Sequence, residues 1–431
     1  MSRLYERLPA LAHRNFRNYQ LGNFVSNVGN RMQFFAILWH VYEKTHSNAY
    51  VGALGLLRVV PLVVFGLYGG VIADHFDRRK IVLITQCGLA AVAFGLFWIT
   101  VGGHDNVWNL YAIVVAGAVM NAFNNPSRQA MIVNIVPPAD FPNAASFNGI
   151  IWRLTDILGP ALAGLLLGWT KAPYFSGLAW VYLSNAFSFL AFMAAVFSLP
   201  PMPPSADKRE HTIRTALDSI RGGFRFFREA HVVRNTMIVD FWATFFAGSE
   251  ALLPSYAHLL RLGPHGYGWL ASATGIGAMI ASASLAVMPT LSRQGLWVLR
   301  MVALFGISTI LFGVSTNLPF AFLFLAGIGA TDMVSTVLRQ TIRQLSTPDH
   351  MRGRLGSIGM LFQTSGPQLG DSEAAYAANL FQTLGMAPLT AVRTSIVSGG
   401  VGGLLVGVWW MWRSHLVRYD RHVEPITDPG G

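Results

Sequence analysis

Twelve residues, Gly69-Gly70-Val71-Ile72-Ala73-Asp74-His75-Phe76-Asp77-Arg78-Arg79-Lys80, stand between two long apolar runs and constrain the chain more than any other segment. Flanked in this way, they read as a very short, cation-rich hairpin joining two membrane-spanning helices. Gly69 and Gly70 let one helix end approach a neighbour closely. Arg78, Arg79 and Lys80 assign the loop to the cytoplasmic side, where short loops carry the excess of lysine and arginine. Asp74 sits where apolar helix meets water. A lone carboxylate there can accept N–H bonds from the positive end of another helix, or pair with an arginine, and so hold two helices in one relative position. The expectation is a gating latch built on Gly70, Asp74, Arg78 and Arg79.

A helix crosses a bilayer with about 20 apolar residues. Cutting the chain at its polar breaks leaves twelve such spans, over 17–43, 48–72, 80–102, 108–128, 143–169, 175–198, 233–260, 266–290, 297–316, 319–342, 355–382 and 389–413. Cations set their orientation. Arg3, Arg7, Arg14, Arg17, Arg78, Arg79, Lys80, Arg128, Lys208, Arg209, Arg293, Arg343, Arg352, Arg354 and Arg413 fall on one side, against Lys44, Lys171, Arg261 and Arg393 on the other. Both termini are therefore expected in the cytoplasm. Residues 1–16 are polar and basic and lack a cleavage signature, so the first span reads as an uncleaved anchor. Pro200-Pro201-Met202-Pro203-Pro204 ends the sixth span and marks a domain boundary. A basic amphipathic segment over 212–229 follows, expected along the membrane surface. The domain reading is a six-helix half over 1–199, a cytoplasmic linker over 200–230 and a second six-helix half over 231–431.

Composition removes the other classes. Hydrophobic residues are 53% and charged ones 12% of the chain, the latter about half the share of a soluble domain, so most of this polypeptide cannot face water. The net charge of +11 lies in short segments between apolar runs, with no basic stripe on a polar fold, and implies no nucleic-acid partner. A single cysteine, Cys87, excludes an internal disulfide and any thiolate metal cluster. No lysine follows a glycine, so a phosphate-binding loop is absent. Gly-x-Ser-x-Gly and His-Glu-x-x-His are absent too, and nothing argues for an enzyme. The histidines lack ligand spacing, so neither a metal nor another cofactor is expected.

The hairpin resembles the loop between helices 2 and 3 of the major facilitator superfamily, Gly-x-x-x-Asp-(Arg/Lys)-x-Gly-Arg-(Arg/Lys). Gly70, Asp74, Arg78 and Arg79 match it, and His75 and Asp77 depart from it. Phe16-Arg17-Asn18-Tyr19, Ser26-Asn27-Val28-Gly29, Arg58-Val59-Val60-Pro61, Asn125-Pro126-Ser127-Arg128-Gln129-Ala130, Gly222-Gly223-Phe224-Arg225-Phe226 and Leu369-Gly370-Asp371 are similar to the bacterial branch that includes the enterobactin exporters. The resemblance runs along nearly the whole chain. It implies an all-α membrane protein of twelve transmembrane helices in two parallel six-helix repeats, with substrate bound near the midplane between the halves. An internal duplication agrees with this: Arg128-Gln129, Pro137 and Ser146 recur with the same spacings as Arg339-Gln340, Pro348 and Ser357. Arg128 joins the gating set. Gly159, Pro160 and Gly164 resemble the antiporter motif of drug exporters, although Ala163-Gly164 stands where two glycines are usual and Thr155 where a small residue is usual. The same Gly-Pro element also reads as a helix kink that permits close packing.

Ionisable groups inside membrane helices are costly and face a cavity or a partner. Arg31, Arg58, Arg153, Asp156, Asp240, Glu250, Asp332, Asp371 and Glu373 fall within spans. Arg153 and Asp156, three apart on one helix, are expected to neutralise each other. Carboxylates in low dielectric bind protons more readily, so Asp371, Glu373, Asp240, Glu250 and Asp332 are the proton-coupling candidates. Asp371 leads because it matches the branch pattern, with a cap for a break in span eleven near Gly366-Pro367 as its structural alternative. Arg58 lies about ten residues, or roughly 15 Å, into its span, which demands a partner: an anionic substrate group, or an acid such as Asp371. Gln33, Phe34 and Trp39 in span one, Asn121, Asn124 and Asn125 in span four, and Phe241, Trp242 and Phe245 in span seven complete the expected substrate wall, although most of the aromatics are expected only to pack or meet lipid.

These readings combine into a proton-coupled secondary transporter of the bacterial cytoplasmic membrane. It is expected to export a bulky amphipathic small molecule, a siderophore or a drug, by rocking of two halves. Uptake of a small metabolite is the rival, and a non-transporting receptor the outlying one. The expected partners are the small-molecule substrate, protons and the lipid bilayer, and the chain is expected to act as a monomer.

Overall fold

A computed structural model describes residues 8–169, 175–202, 227–288, 291–348, 351–413 and 415–419. Buried in hydrocarbon, a backbone must pair its own N–H and C=O groups, and the described residues form helices with no strand. The helices are α1 (Arg14–Thr45), α2 (Asn48–His75), α3 (Arg78–Val101), α4 (Val107–Ile135), α5 (Phe141–Leu167), α6 (Gly177–Phe197), α7 (His231–Phe246), α8 (Leu253–Leu259), α9 (Gly263–Val287), α10 (Gln294–Val314), α11 (Leu318–Leu345), α12 (Arg352–Thr383) and α13 (Pro388–Arg413). They make up twelve crossings, because α7 and α8 together serve as the seventh. Side-chain caps fix several starts. Asp77 accepts the Arg79 N–H, Asn106 that of Asn109, Ser176 that of Ala179 and Asn317 that of Phe320. Nine of the described helices are long and apolar enough to span a bilayer by composition. The exceptions are α1, α12 and the α7–α8 pair with the turn between them, which carry Arg31, Asp240, Glu250, Asp371 and Glu373 among the ionisable groups singled out above.

The seventh span departs from its expected form as one helix over 233–260. It stops at Phe246, passes through an irregular stretch and a 3-10 turn at Glu250–Leu252, and resumes as α8. Two features cause the break. A Cβ on Gly248 would lie 2.6 Å from the Asp371 nitrogen, so only glycine lets the α12 backbone pass there. The Asp371 carboxylate then accepts the N–H groups of Glu250 at 2.9 Å and Ala251 at 3.3 Å, which the interrupted helix leaves unpaired. Conversely, α12 runs unbroken through Gly366 and Pro367. Asp371 is a cap, but of the seventh span and not of its own.

The chain divides into two compact units. One comprises Met1–His46, Leu57–Ala216 and Gly263–Ser272; the other comprises Ser47–Leu56, Leu217–Leu262 and Ala273–Gly431. In the first unit α1 lies along α6, where Gly22 leaves a Cβ only 2.8 Å from the Ala195 Cβ. Phe16, Tyr19, Met131, Ile132, Phe192 and Val196 form a buried core beside the start of α1. The opening of α9 belongs to this unit, since Gly164 and Gly268 face each other so closely that a Cβ on Gly164 would lie 2.5 Å from the Gly268 Cα. The second unit packs α10 on α13 through Gly306, Gly400 and Gly407, with Val239, Ala243, Leu299, Val302 and Val406 buried beside them. Most of the expected amphipathic segment over 212–229, and Gly222-Gly223-Phe224-Arg225-Phe226 with it, lies outside the described residues.

Candidate functional site

The second unit carries a buried ion pair. Asp240 on α7 lies 2.7 Å from Arg339 Nη2 on α11, and both side chains are almost entirely excluded from solvent. Asp332, on the same helix as Arg339 and far more exposed, stands 3.6 Å away. Arg339 also donates to the hydroxyls of Ser335 at 2.8 Å and Thr336 at 2.9 Å. The structure therefore brings together two of the five carboxylates singled out, around an arginine that sequence reasoning left unassigned. The signal was present: Arg339 is the repeat counterpart of Arg128.

The first unit holds the matching arrangement without a carboxylate. Arg128 near the end of α4 donates to the side-chain oxygens of Asn23 and, at 3.0 Å, Asn27, both on α1. Its guanidinium lies 4.3 Å from the centre of the Phe192 ring. In each unit, then, the arginine of the duplicated motif reaches the first helix of its own repeat. It meets amides in one unit and a carboxylate in the other.

A second cluster in the first unit surrounds Phe34. The guanidinium of Arg58 lies 4.1 Å from the ring centre and that of Arg31 lies 5.7 Å from it, distances at which cation–π attraction operates. Arg31 Nε also donates to Asp156 at 2.7 Å, whereas Arg153 is 3.9 Å from the same carboxylate. The expected Arg153–Asp156 pair is present, and Arg31 joins it from across a helix interface with the shorter contact. Gly159 makes this possible: a Cβ there would lie 2.5 Å from the Arg31 Cβ. Gly159 and Gly164 of the Gly-Pro element thus face α1 and α9, and Pro160 lies buried within α5.

The remaining candidates disperse. Glu250 supplies one of the two N–H groups capped by Asp371, and Glu373 is half-buried two residues further along α12. Gln33 accepts from Asn185 at 2.7 Å. Trp39 packs on Tyr267, with ring centres 5.1 Å apart. Asn124 is buried, bonded to Thr85 and Gln86. Asn121 donates to the Gly117 carbonyl, and Asn125 is half-buried on the same helix. Trp242 stacks on Phe246 at 5.5 Å, and Phe241 and Phe245 stack on each other beside it.

At the hairpin, α2 ends at His75 and α3 begins at Arg78. The Asp74 carboxylate and the surroundings of Gly70 lie outside the described residues. Around them, Arg79 donates to the Phe197 carbonyl at 2.6 Å and stacks over the Phe197 ring. Arg78 is half-buried at the start of α3. Asp77, standing where the superfamily pattern has glycine, accepts the Met202 N–H at 3.3 Å in addition to capping α3. The loop is clamped to the end of α6.

Duplicated six-helix architecture, buried charge pairs reaching between crossings and an arginine repeated in both halves define a membrane transporter of the major facilitator type. The family model for transmembrane secretion effectors matches residues 6–397, and the chain belongs to that family of the major facilitator superfamily. Among relatives, the enterobactin exporter EntS of Escherichia coli strain K12 is 26% identical over 416 residues, covering 96% of this chain and 95% of that protein. The enterobactin exporter of Shigella boydii serotype 18 is 26% identical over 92% of this chain and 91% of its own length. Solved structures agree in fold. A bacterial homologue of the human lysosomal transporter Spinster has a TM-score of 0.72 at 13% identity, over 92% of this chain and 95% of that one. The nucleoside transporter NupG has a TM-score of 0.70 at 11% identity, over 94% of this chain and all of that one.

Proposed function

We propose that the protein is a proton-coupled exporter of a bulky anionic aromatic compound, with both termini on the cytoplasmic face of the bacterial inner membrane. Its relatives are named as enterobactin exporters, and export of that compound or a chemically similar one is the reading carried over to this chain. Two six-helix halves joined by the segment over 200–230 would alternate access to a central site, gated at the Asp74 hairpin. The observation that carries proton coupling is the asymmetry between the repeats. Arg128 is held by amides in every protonation state, whereas Arg339 is held by Asp240, whose protonation removes the ion pair between α7 and α11. A proton arriving there releases one helix interface and leaves its repeat counterpart unchanged. The Arg31–Phe34–Arg58 cluster supports the substrate class, since guanidinium groups about an aromatic ring suit an anionic aryl group.

The test is proton flux in proteoliposomes carrying a trapped pH dye, with enterobactin as the substrate. Wild-type protein is expected to move protons against substrate, and Asp240→Asn to move none. Removing one partner of a buried pair costs about 3 to 5 kcal/mol, so Asp240→Asn/Arg339→Gln is the folding control, expected to regain stability without regaining coupling. Substrate-linked proton flux surviving in Asp240→Asn would assign the proton to another group. Transport independent of any pH gradient in the wild type would overturn the coupling altogether.

A further inference from the structure

The last turns of α1 carry a polar cluster that transport, as read above, leaves unused. His40 is fully buried, and both nitrogens of its ring are engaged. Nε2 lies 2.9 Å from Asp105 Oδ2 in the turn between α3 and α4, and Nδ1 lies 2.9 Å from the Tyr182 hydroxyl on α6. Lys44, one turn further along α1, donates to Asp105 Oδ1 at 2.8 Å. Among the described residues these are the ionisable groups facing the ring, with Glu43 acting on Tyr182 through space and His104 next to Asp105 in the chain.

The partners suit two protonation states of the ring. A neutral imidazole donates from Nε2 to the carboxylate and accepts at Nδ1 from the tyrosine hydroxyl. An imidazolium donates from both nitrogens, and the hydroxyl turns to accept. Neither state leaves a buried polar atom of the ring unpaired. The hydrogen bond from His40, helped by Lys44, holds the Asp105 carboxyl well below the usual carboxylate range despite its burial. Asp105 is therefore anionic wherever histidine ordinarily titrates, and a proton arriving at the ring always meets a negative charge.

The same turns of α1 hold the start of α9. Tyr267 donates its hydroxyl to the Phe35 carbonyl at 2.8 Å, and its ring lies against Phe35 and Trp39. Trp39 and His40 are consecutive residues pointing to different neighbours, so the ties of His40 to α6 and to the Asp105 turn set where Trp39 is presented. We propose that His40, Asp105 and Tyr182 form a proton-binding site at the Thr45 end of α1, distinct from Asp240. Protonation there tightens the grip of α1 on residues 263–272. This site stands whether or not protons drive export.

Hydrogen–deuterium exchange of the full chain in nanodiscs tests it, at about pH 5.5 and about pH 7.5. After correction for intrinsic exchange, amides of residues 263–272 are expected to be about threefold or more better protected at the lower pH in the wild type. His40→Gln and Asp105→Asn are expected to abolish that difference. Tyr182→Phe, which keeps the ring and the carboxylate but cannot accept from an imidazolium, is expected to reduce it, and it decides the matter if His40→Gln does not fold. A wild type without the difference, or folded His40→Gln or Tyr182→Phe retaining it in full, overturns the proposal. Asp240→Asn is expected to retain the difference; its loss there would show that the two sites are not distinct. No result of the proton-flux measurement bears on this one.

Discussion

Asp371 shows how one carboxylate can satisfy a sequence pattern and still answer to local geometry. Its oxygen accepts two backbone N–H groups at the break in the seventh crossing, so a proton on that oxygen would remove acceptor capacity from a buried helix start. We expect Asp371→Ala to lower stability by about 1 to 2 kcal/mol, the usual cost of losing a cap. Asp371→Asn, which keeps one carbonyl oxygen, should lower it less and preserve proton coupling. Thermal unfolding in detergent together with dye-monitored proton flux checks both. Loss of coupling without loss of stability in Asp371→Asn would return the proton to this residue. Asp240 differs in kind, because its partner is a guanidinium and its protonation dissolves a charge pair and not a cap.

Among elements, the α5–α9 contact depends on the absence of side chains. Gly164 and Gly268 bring two helix backbones together where one Cβ would already lie 2.5 Å from the opposite Cα. Helix association in lipid relies on such packing, since hydrocarbon supplies no hydrophobic drive between helices. Gly164→Val is expected to force the helices apart at an overpacking cost of about 1 to 3 kcal/mol. It should leave the protein inserted and helical while transport falls steeply, and Gly149→Ala, where a Cβ meets nothing nearby, should change neither. Substrate flux and melting temperature, measured side by side, decide. Near-normal flux in Gly164→Val would mean that this contact is not part of the transport cycle. The hairpin presents the opposite case: Asp77 breaks the superfamily pattern, yet as a cap that also holds Met202 it gives the loop a polar anchor glycine could not provide.

For the whole molecule, the cation distribution predicts both termini on one face of the membrane. The single cysteine makes this simple to measure. In a Cys87→Ala background, a cysteine placed at Ser2 or at Thr427 is expected to react with a membrane-impermeant thiol reagent only in inside-out vesicles, and one at Lys171 only in right-side-out vesicles. Labelling of either terminus from outside would overturn the orientation. Apolar run length and the spacing of cations reach this far unaided, because insertion depends on local transfer free energy and not on which helices become neighbours. The same local terms mark all twelve crossings as single helices, which holds for all but the seventh, and the resemblance in 70–79 points to the superfamily. The spacing shared by Arg128 and Arg339 records the duplication. Of the charge partners, spacing along the chain names only the one on the same helix, Arg153 for Asp156. That Asp156 also takes Arg31, that Arg339 takes Asp240, that Asp371 caps a helix far away in sequence, and that His40 sits between Asp105 and Tyr182 follow from which helices pack together. Partner choice for a buried polar group is set by distance and desolvation across helix interfaces, and those exist only once the chain has folded.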